Sequence, residues 1–267
     1  MDFVLTAITD DPIQAARCDA AGVDRIGVDI ERLHKNARQG HLPQARISAH
    51  ELAALPALAR VVTRAALFAR LNQLHDGSGA EIAEALAGGA RVLMLPYFTS
   101  AQEVRRFVRL VDGRARVVLL LETAAALVRL HEIVAVEGVD EIMVGLNDLH
   151  WSMGVASPFE LVAADLMELV STAVRAGGVR FGFGGLGRAG DESLPVPADL
   201  IFAQHARLGS GAAWLARSFF AGLPPDAPLG REIGRLRARL AHWAGQPAEA
   251  LARERDRLRH LLAEAAR

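Results

Sequence analysis

The chain has 267 residues, and a closed α/β barrel of about 250 residues is the single-domain fold nearest that length. The formal net charge is −1, so the chain has no global field that would attract nucleic acid or an anionic membrane. The single cysteine, Cys18, excludes an internal disulfide, and the first residues lack the pattern of a signal peptide. We therefore expect a cytoplasmic protein.

Short apolar runs alternate with longer segments of helical periodicity, as expected for repeated βα units around a parallel sheet. Eight runs are predicted strands: 3–8, 25–30, 66–71, 92–95, 117–121, 141–144, 180–183 and 199–203. Helices are predicted between and after them, at 12–21, 48–59, 80–87, 101–111, 124–136, 159–176 and 212–221. This pattern predicts an α/β fold, a (β/α)8 TIM barrel, with a doubly wound open sheet as the alternative.

The repeating pattern ends near residue 222, where glycine and proline are frequent. From 231 to 267 the apolar residues follow helical spacing, and acidic residues interleave with the arginines. The sequence thus predicts a barrel domain over 1–222 and a C-terminal helical arm over 223–267. We expect the arm to pack on its own barrel or on a neighbouring subunit, and not on nucleic acid.

Two predicted strands lead into carboxylates: Glu122 follows the run 117–121, and Asp148 comes soon after the run 141–144. Neighbouring strands of a barrel end on the same face, where active sites of this fold are built. Mg²⁺ and similar hard cations prefer oxygen ligands and often take only one or two protein carboxylates. The pattern predicts either a divalent-metal site at Glu122 and Asp148, or structural roles in a helix cap and a turn.

Charged residues also lie at the ends of the second and third predicted strands. Arg70 stands among apolar residues, and burying its charge without a partner would be costly. Either a substrate carboxylate or a structural ion pair with Glu31 would provide that partner. Glu31 itself leads into a polar loop with His34 and His41, whose composition is typical of a substrate-recognition segment.

A series of short motifs connects these residues. In chain order they are Asp29-Ile30-Glu31, Arg70-Leu71-Asn72, Met94-Leu95-Pro96, Leu121-Glu122-Thr123, and Gly138-Val139-Asp140 through Gly145-Leu146-Asn147-Asp148-Leu149 with Gly154. Over about residues 20–220 the series resembles the HpcH/HpaI aldolase and citrate lyase β-subunit family. The resemblance implies a (β/α)8 barrel that acts on 2-oxo acids or acyl-CoA thioesters. It also implies that Glu122 and Asp148 hold Mg²⁺ or Mn²⁺, and that Arg70 binds the oxo-acid end of the substrate.

The activity implied by the resemblance is that of a metal-dependent carbon–carbon lyase, a class II-type aldolase joining or separating a pyruvate-like enolate and an aldehyde. The metal would stabilise the enolate as a Lewis acid, and Arg70 would share its negative charge. A CoA-thioester lyase or hydrolase and a non-catalytic barrel scaffold are the alternatives. The implied partners are the small-molecule substrates and further copies of the chain, in a trimer or hexamer, with neither nucleic acid nor membrane.

The chain departs from the aldolase pattern at three positions. Arg32 replaces the histidine after the Asp-x-Glu motif, Leu120 replaces a glutamine, and Tyr97 replaces a lysine. The candidates for the general base are therefore His34, His41 and a metal-bound water. The departures resemble a branch associated with bacterial surface-polysaccharide gene sets, which suggests a sugar-derived 2-oxo acid or aldehyde.

Further candidates for substrate binding are Gly145 and Asn147, beside Asp148, and the pair Gly184 and Gly185. The glycine pair belongs to the stretch 182–187, which we expect to form a loop whose N–H groups approach a substrate carboxylate or phosphate. That stretch has G-x-G-x-x-G spacing, but residues 191–197 cannot begin the regular helix that a dinucleotide site needs.

The remaining candidate for substrate binding is His205, at the end of the predicted eighth strand, where a structural role is the alternative. The three tryptophans, Trp151, Trp214 and Trp243, are expected in the core or at subunit contacts.

Overall fold

The structure, a computed structural model, describes residues 3–33, 48–191, 193–224 and 226–265. Eight parallel strands pair in chain order and close into a barrel, which confirms the predicted (β/α)8 fold and excludes the open sheet. The strands are β1 Val4–Ile8, β2 Arg25–Asp29, β3 Ala66–Arg70, β4 Val92–Leu95, β5 Arg116–Leu121, β6 Glu141–Val144, β7 Arg180–Leu186 and β8 Ala212–Leu215.

Helices follow the strands and cover the outside of the barrel. They are α1 Pro12–Ala20, α2 Leu55–Ala59 after a 3-10 turn at Leu52–Ala54, α3 Ser78–Ala87, α4 Ala101–Val111, α5 Ala124–Val128, α6 Leu130–Val134, α7 Leu146–Met153, α8 Pro158–Ala163, α9 Asp165–Ala176, α10 Ala198–Arg207, α11 Arg217–Phe220, α12 Leu229–Ala244 and α13 Ala248–Ala265. In the part of the chain described, no helix is long and apolar enough to cross a membrane.

Local sequence explains where several of these helices begin. The Asp11 carboxylate accepts a hydrogen bond from the Ile13 N–H, and a proline opens α1 at the next position, where its fixed φ suits a first helical turn. Ser100 and Glu103 form a reciprocal capping box at the start of α4. Such caps satisfy backbone N–H groups that the helix itself leaves unpaired.

The first seven strands lie where the sequence predicts them, but the prediction of the eighth strand at 199–203 is wrong. These residues belong to α10, and β8 occupies Ala212–Leu215, within a predicted helix. The helix α10 packs under both α12 and α13 and is buried along consecutive residues from Leu200 to His205. A helix covered on all sides gives the same uninterrupted apolar run as an interior strand, so the pattern does not distinguish them.

The arm formed by α12 and α13 packs on its own barrel. Leu236 and Leu258 are fully buried, and the Arg237 guanidinium donates to the carbonyl oxygens of Phe3 and Gly22 beside β1 and β2. In α13, the Arg259 guanidinium donates to a carbonyl oxygen at the end of α8. A contact between the arm and a neighbouring subunit stays a prediction.

Side chains inside the barrel are arranged in layers, because alternate residues of every strand face inward. The middle layers are apolar and comprise Phe68, Val92, Met94, Val118, Leu120, Met143 and Ala212. Below them, at the amino ends of the strands, Arg25 donates two hydrogen bonds to the Glu141 carboxylate, at 2.9 and 2.8 Å. Arg180 lies 3.5 Å from the same carboxylate. This buried ion cluster closes the bottom of the barrel.

Removing the central carboxylate of that cluster is expected to destabilise the fold strongly. The Glu141→Ala variant leaves the Arg25 side chain, 5% exposed, without its bidentate partner. Breaking a buried pair in this way typically costs about 3–5 kcal/mol, because an uncompensated charge remains inside. Urea unfolding of wild type and variant measures the loss. The double variant Arg25→Met/Glu141→Leu is expected to lose less than Glu141→Ala alone, and a loss below about 1 kcal/mol for Glu141→Ala would contradict this account.

Candidate active site

Three strands place charged side chains together at the carboxyl end of the barrel. Asp29 ends β2, Arg70 ends β3, and the register of the two strands sets them side by side. Glu122 directly follows β5 and is close enough for its charge to act on Arg70. These residues continue the inward-facing rows of their strands, so the cluster sits on top of the apolar layers.

The Arg70 guanidinium is bound by two carboxylates. Its Nε and Nη2 donate to the two carboxylate oxygens of Asp29, at 2.8 and 2.5 Å. Its Nη1 lies 3.5 Å from Glu31 Oε2. The sequence names Glu31 as the ion-pair partner, and the structure adds Asp29 as the main one, held in the bidentate geometry that suits an arginine fork.

Burial and charge act in opposite directions on Arg70. Burial by itself would lower the pKa of the guanidinium, since it disfavours the charged form. The charge of Asp29, followed by those of Glu31 and Glu122, outweighs burial and raises that pKa above its usual value. The three carboxylates are 3%, 1% and 2% exposed, respectively, so all of them are buried beside the guanidinium.

Glu122 lies between the backbone of Tyr97 and Gly145. The backbone N–H of Tyr97 donates to its Oε1 at 2.9 Å, from a left-handed backbone conformation with φ of 50°. On the other side, a Cβ on Gly145 would lie 2.7 Å from Glu122 Oε2. Position 145 therefore requires glycine, because any side chain there would collide with the carboxylate.

Gly145 also brings the second predicted metal ligand to this face. It caps α7, and Asp148 lies in the first turn of that helix, with Asn147 exposed beside it. The structure thus places Gly145 against Glu122, and Asp148 in the first turn of the helix that begins beside them. Among the described residues, no three His, Cys, Asp or Glu side chains form a ready-made metal site.

The segment that follows β2 is anchored at the same face. Asn72 Oδ1 accepts hydrogen bonds from the backbone N–H groups of Arg32 and Leu33, at 2.8 and 2.9 Å. The Arg32 guanidinium donates to the carbonyl oxygens of Ser48 and His50, at 3.2 and 2.7 Å. The two candidate bases of this segment, His34 and His41, lie outside the described residues.

Two predictions about β7 and the helix after it need correction. Gly184 and Gly185 belong to β7 itself and not to a loop, and the pairing with β8 shifts register between Gly182 and Gly185. A register shift of this kind lets a strand continue through a glycine-rich stretch with its local direction changed.

His205 does not end a strand. It lies near the end of α10, stacked on the Phe183 ring at 3.8 Å, with its Nδ1 2.8 Å from Ser210 Oγ. Phe3, just before β1, contacts it edge-on, so the structure places it at the amino side of the barrel and not at the carboxyl face. The sequence predicts His205 at a strand end because it predicts residues 199–203 to be the eighth strand, and both predictions are wrong.

The residues of the candidate site lie in a region that matches a known protein family. A family model described as HpcH/HpaI aldolase/citrate lyase matches residues 3–183, which include Arg70, Glu122 and Asp148. The chain belongs to this family. A search of curated protein sequences finds no significant match.

Solved structures agree with this HpcH/HpaI-family chain in fold. An HpcH/HpaI aldolase from Desulfitobacterium hafniense DCB-2 has a TM-score of 0.63 and 19% identity, and the match covers 80% of this chain and 86% of that one. A citrate lyase β subunit from M. tuberculosis, complexed with oxaloacetate and magnesium, has a TM-score of 0.61 and 22% identity, covering 89% and 97%. A family protein from Burkholderia cenocepacia J2315 has a TM-score of 0.62 and 17% identity, covering 90% and 94%.

Some residues of the site are absent from the sequence-based predictions. The Tyr97 N–H and the Trp214 ring both contact predicted site residues, the first at Glu122 and the second at Arg70. Every residue except proline has a backbone N–H, so the residue type at position 97 does not reveal this donor. Trp214 lies on the strand that the sequence misplaces, so its inward orientation could not be inferred.

We expect Gly145→Ala in this family member to displace the Glu122 carboxylate. The added methyl group would stand 2.7 Å from Glu122 Oε2 and 2.9 Å from its Cβ. Overpacking of this kind typically costs about 1–3 kcal/mol, which urea unfolding will detect. Gly234→Ala in α12 is the matched control, because nothing lies within 4 Å of its added Cβ. That control should gain stability, by up to about 1 kcal/mol, and equal effects of the two variants would disprove the proposed collision.

The buried His205 predicts a specific loss of stability in acid. Burial lowers its pKa from 6.5 to about 3, so the folded chain keeps the ring neutral while the unfolded chain protonates it below pH 6.5. Above pH 6.5 the neutral His205 ring does not lower the free energy of unfolding. As the pH falls from 6.5 toward 3, protonation of the ring in the unfolded chain lowers that free energy progressively. Between pH 7 and pH 5, wild type should lose about 2 kcal/mol more than His205→Phe, in urea unfolding at both pH values. Parallel pH dependence of the two proteins would refute the assignment.

Proposed function

We propose that this chain is a divalent-metal-dependent carbon–carbon lyase of aldolase type, acting on a pyruvate-like 2-oxo acid. In this proposal Glu122 and Asp148 hold the ion, and Arg70 binds the substrate carboxylate. The observation that carries the proposal is the cluster of Asp29, Arg70 and Glu122 at the mouth of the barrel, because active sites of TIM-barrel enzymes are built at that end. Membership in a family of lyases supports the reaction class.

The residues present fit a hard divalent cation. Both proposed ligands offer carboxylate oxygens, the donors that Mg²⁺ and Mn²⁺ prefer. The carboxylates of the cluster are buried, and a cation held next to a buried carboxylate is attracted more strongly than it would be in bulk water. An ion held by two carboxylates takes its other ligands from water and substrate, which suits a site of catalysis.

The substrate carboxylate would be bound by the part of Arg70 that Asp29 leaves available. A guanidinium has five N–H donors in a planar fork, and two of the Arg70 nitrogens donate to Asp29. Its Nη1 is 3.5 Å from Glu31, a distance at which the pair attracts but forms no short hydrogen bond. A 2-oxo acid carboxylate would compete well for that edge, because charge-assisted bonds to a fixed guanidinium are strong.

The chain's own residues prepare this site before any ligand arrives. The Tyr97 N–H holds the Glu122 carboxylate, Gly145 leaves the space that it occupies, and Asp29 fixes the plane of the Arg70 guanidinium. Such preorganisation lowers the barrier, because little reorganisation is left for the reaction itself. A bound ion supplies Lewis-acid polarisation of the keto oxygen. His34, His41 and a metal-bound water stay the predicted candidates for the base that takes the proton from the hydroxyl group of the cleaved substrate.

The solved relatives favour the same substrate class. The M. tuberculosis citrate lyase β subunit was crystallised with oxaloacetate, itself a 2-oxo acid, and with magnesium. We extend that ligand class to this chain, with Mg²⁺ or Mn²⁺ as the ion and a sugar-derived aldehyde as the second product. Further copies of the chain, in a trimer or hexamer, are part of the proposal.

Pyruvate release from a panel of 2-oxo-4-hydroxy acids tests the function directly. We expect release with Mg²⁺ or Mn²⁺ present, none after chelation, and a loss of more than about 100-fold in Glu122→Gln, since a Lewis acid supplies several kcal/mol of transition-state stabilisation. Glu132→Gln is the matched control, because Glu132 is an exposed residue of α6, and this variant should keep full activity.

Three outcomes would contradict the proposal. Pyruvate release that persists after chelation would exclude the metal mechanism. Stabilisation by acyl-CoA esters, without release of pyruvate from any panel member, would favour the CoA-thioester alternative. If neither metals nor 2-oxo acids change the thermal stability of the protein, and Glu122→Gln matches wild type in every assay, the barrel serves as a scaffold.

A further inference from the structure

A tryptophan lies beside the proposed substrate arginine. Trp214 belongs to β8, where it pairs in register with Thr6 of β1 and Gly185 of β7. It points into the barrel in the same row as Ala212 and packs on the apolar interior cluster. The Arg70 guanidinium carbon lies 5.1 Å from the centre of the Trp214 ring, within the range of a cation–π contact.

The ring and Asp29 together restrict the Arg70 side chain. Asp29 binds the guanidinium along one edge, in its plane, and the guanidinium carbon lies over the Trp214 ring. Phe68, two residues before Arg70 on the same strand face, contacts the Trp214 ring edge-on at 5.8 Å and supports it. A guanidinium that is bound along one edge by a carboxylate and also rests over an aromatic ring has little freedom to move, so its remaining edge points in one direction.

Trp214 also borders the space above the apolar layers. Within the described interior cluster, Trp214 and Ile8 are the partly exposed members located toward the carboxyl ends of their strands. Leu120, which replaces the glutamine of the aldolases, is buried in the same cluster and adds no polar group. The floor below Arg70 and Glu122 is therefore apolar and partly aromatic.

We infer that Trp214 is a substrate-positioning residue. Its ring holds the Arg70 guanidinium, and its exposed part forms the apolar wall against which the carbon chain of a small 2-oxo acid packs. This inference rests on the proposed function, because it assigns Trp214 a part in binding the same substrate. Aromatic rings suit both tasks, since the face attracts a cation and the rest of the ring offers a flat apolar surface.

The test measures pyruvate binding by calorimetry in the presence of Mg²⁺. We expect Trp214→Leu to raise the Kd for pyruvate about tenfold, as loss of a desolvated cation–π contact implies. Trp214→Phe should raise it less, because an aromatic ring remains. Trp243→Phe is the matched control, since the Arg239 guanidinium lies over that ring at 5.6 Å in the arm, away from the barrel mouth. It should bind pyruvate like wild type.

Fluorescence gives a second readout that does not depend on Trp214→Leu folding. In the Trp151→Phe/Trp243→Phe variant, Trp214 is the sole tryptophan, and pyruvate with Mg²⁺ should change its emission with the same Kd as calorimetry. Unchanged emission at saturating pyruvate would overturn the inference, as would a folded Trp214→Leu variant with wild-type affinity. In both cases the proposed function stands if wild type binds pyruvate. If wild type binds neither pyruvate nor any other 2-oxo acid, both proposals fall.

Discussion

The bidentate pair of Arg70 and Asp29 is the interaction on which the candidate site depends. An arginine at the inner end of a barrel strand carries a charge that the apolar layers below cannot accommodate. Asp29 neutralises it and, through two hydrogen bonds, also fixes the plane of the guanidinium. Glu31 and Glu122 act on the same guanidinium through their charge, so one arginine and three carboxylates meet at the mouth of the barrel.

The two ends of the barrel differ in role: the amino end stabilises the fold, and the carboxyl end holds the candidate site. At the amino end, Arg25, Glu141 and Arg180 form an ion cluster whose members satisfy one another. The middle layers are apolar and isolate that cluster from the mouth. At the carboxyl end, Asp29, Arg70 and Glu122 meet, and glycine at position 145 leaves room for the Glu122 carboxylate. Burying charged groups costs stability, and groups of ionisable residues in such positions often mark functional sites.

The sequence predicts the features that depend on the alternation of strands and helices along the chain. Seven strands and the strand-end positions of Arg70 and Glu122 follow from apolar runs that stop at a charged residue. The eighth strand does not follow, because α10 is buried on every side while Ala212–Leu215 consists largely of small residues that suit either structure. Contacts across the barrel, such as Arg25 with Glu141 and Arg70 with Trp214, join residues far apart in the chain, which spacing cannot reveal.

The replacement of the aldolase histidine by Arg32 has a structural consequence. The Arg32 guanidinium donates to the carbonyl oxygens of Ser48 and His50, so it connects the two sides of the segment after β2. His50 accepts the Asp29 N–H through Nδ1 and lies beside a carboxylate through Nε2. His75 likewise has both ring nitrogens engaged, by Gly77 and Glu81. Because Arg32, His50 and His75 bind the framework, the candidates for the base of the proposed reaction stay His34, His41 and a metal-bound water.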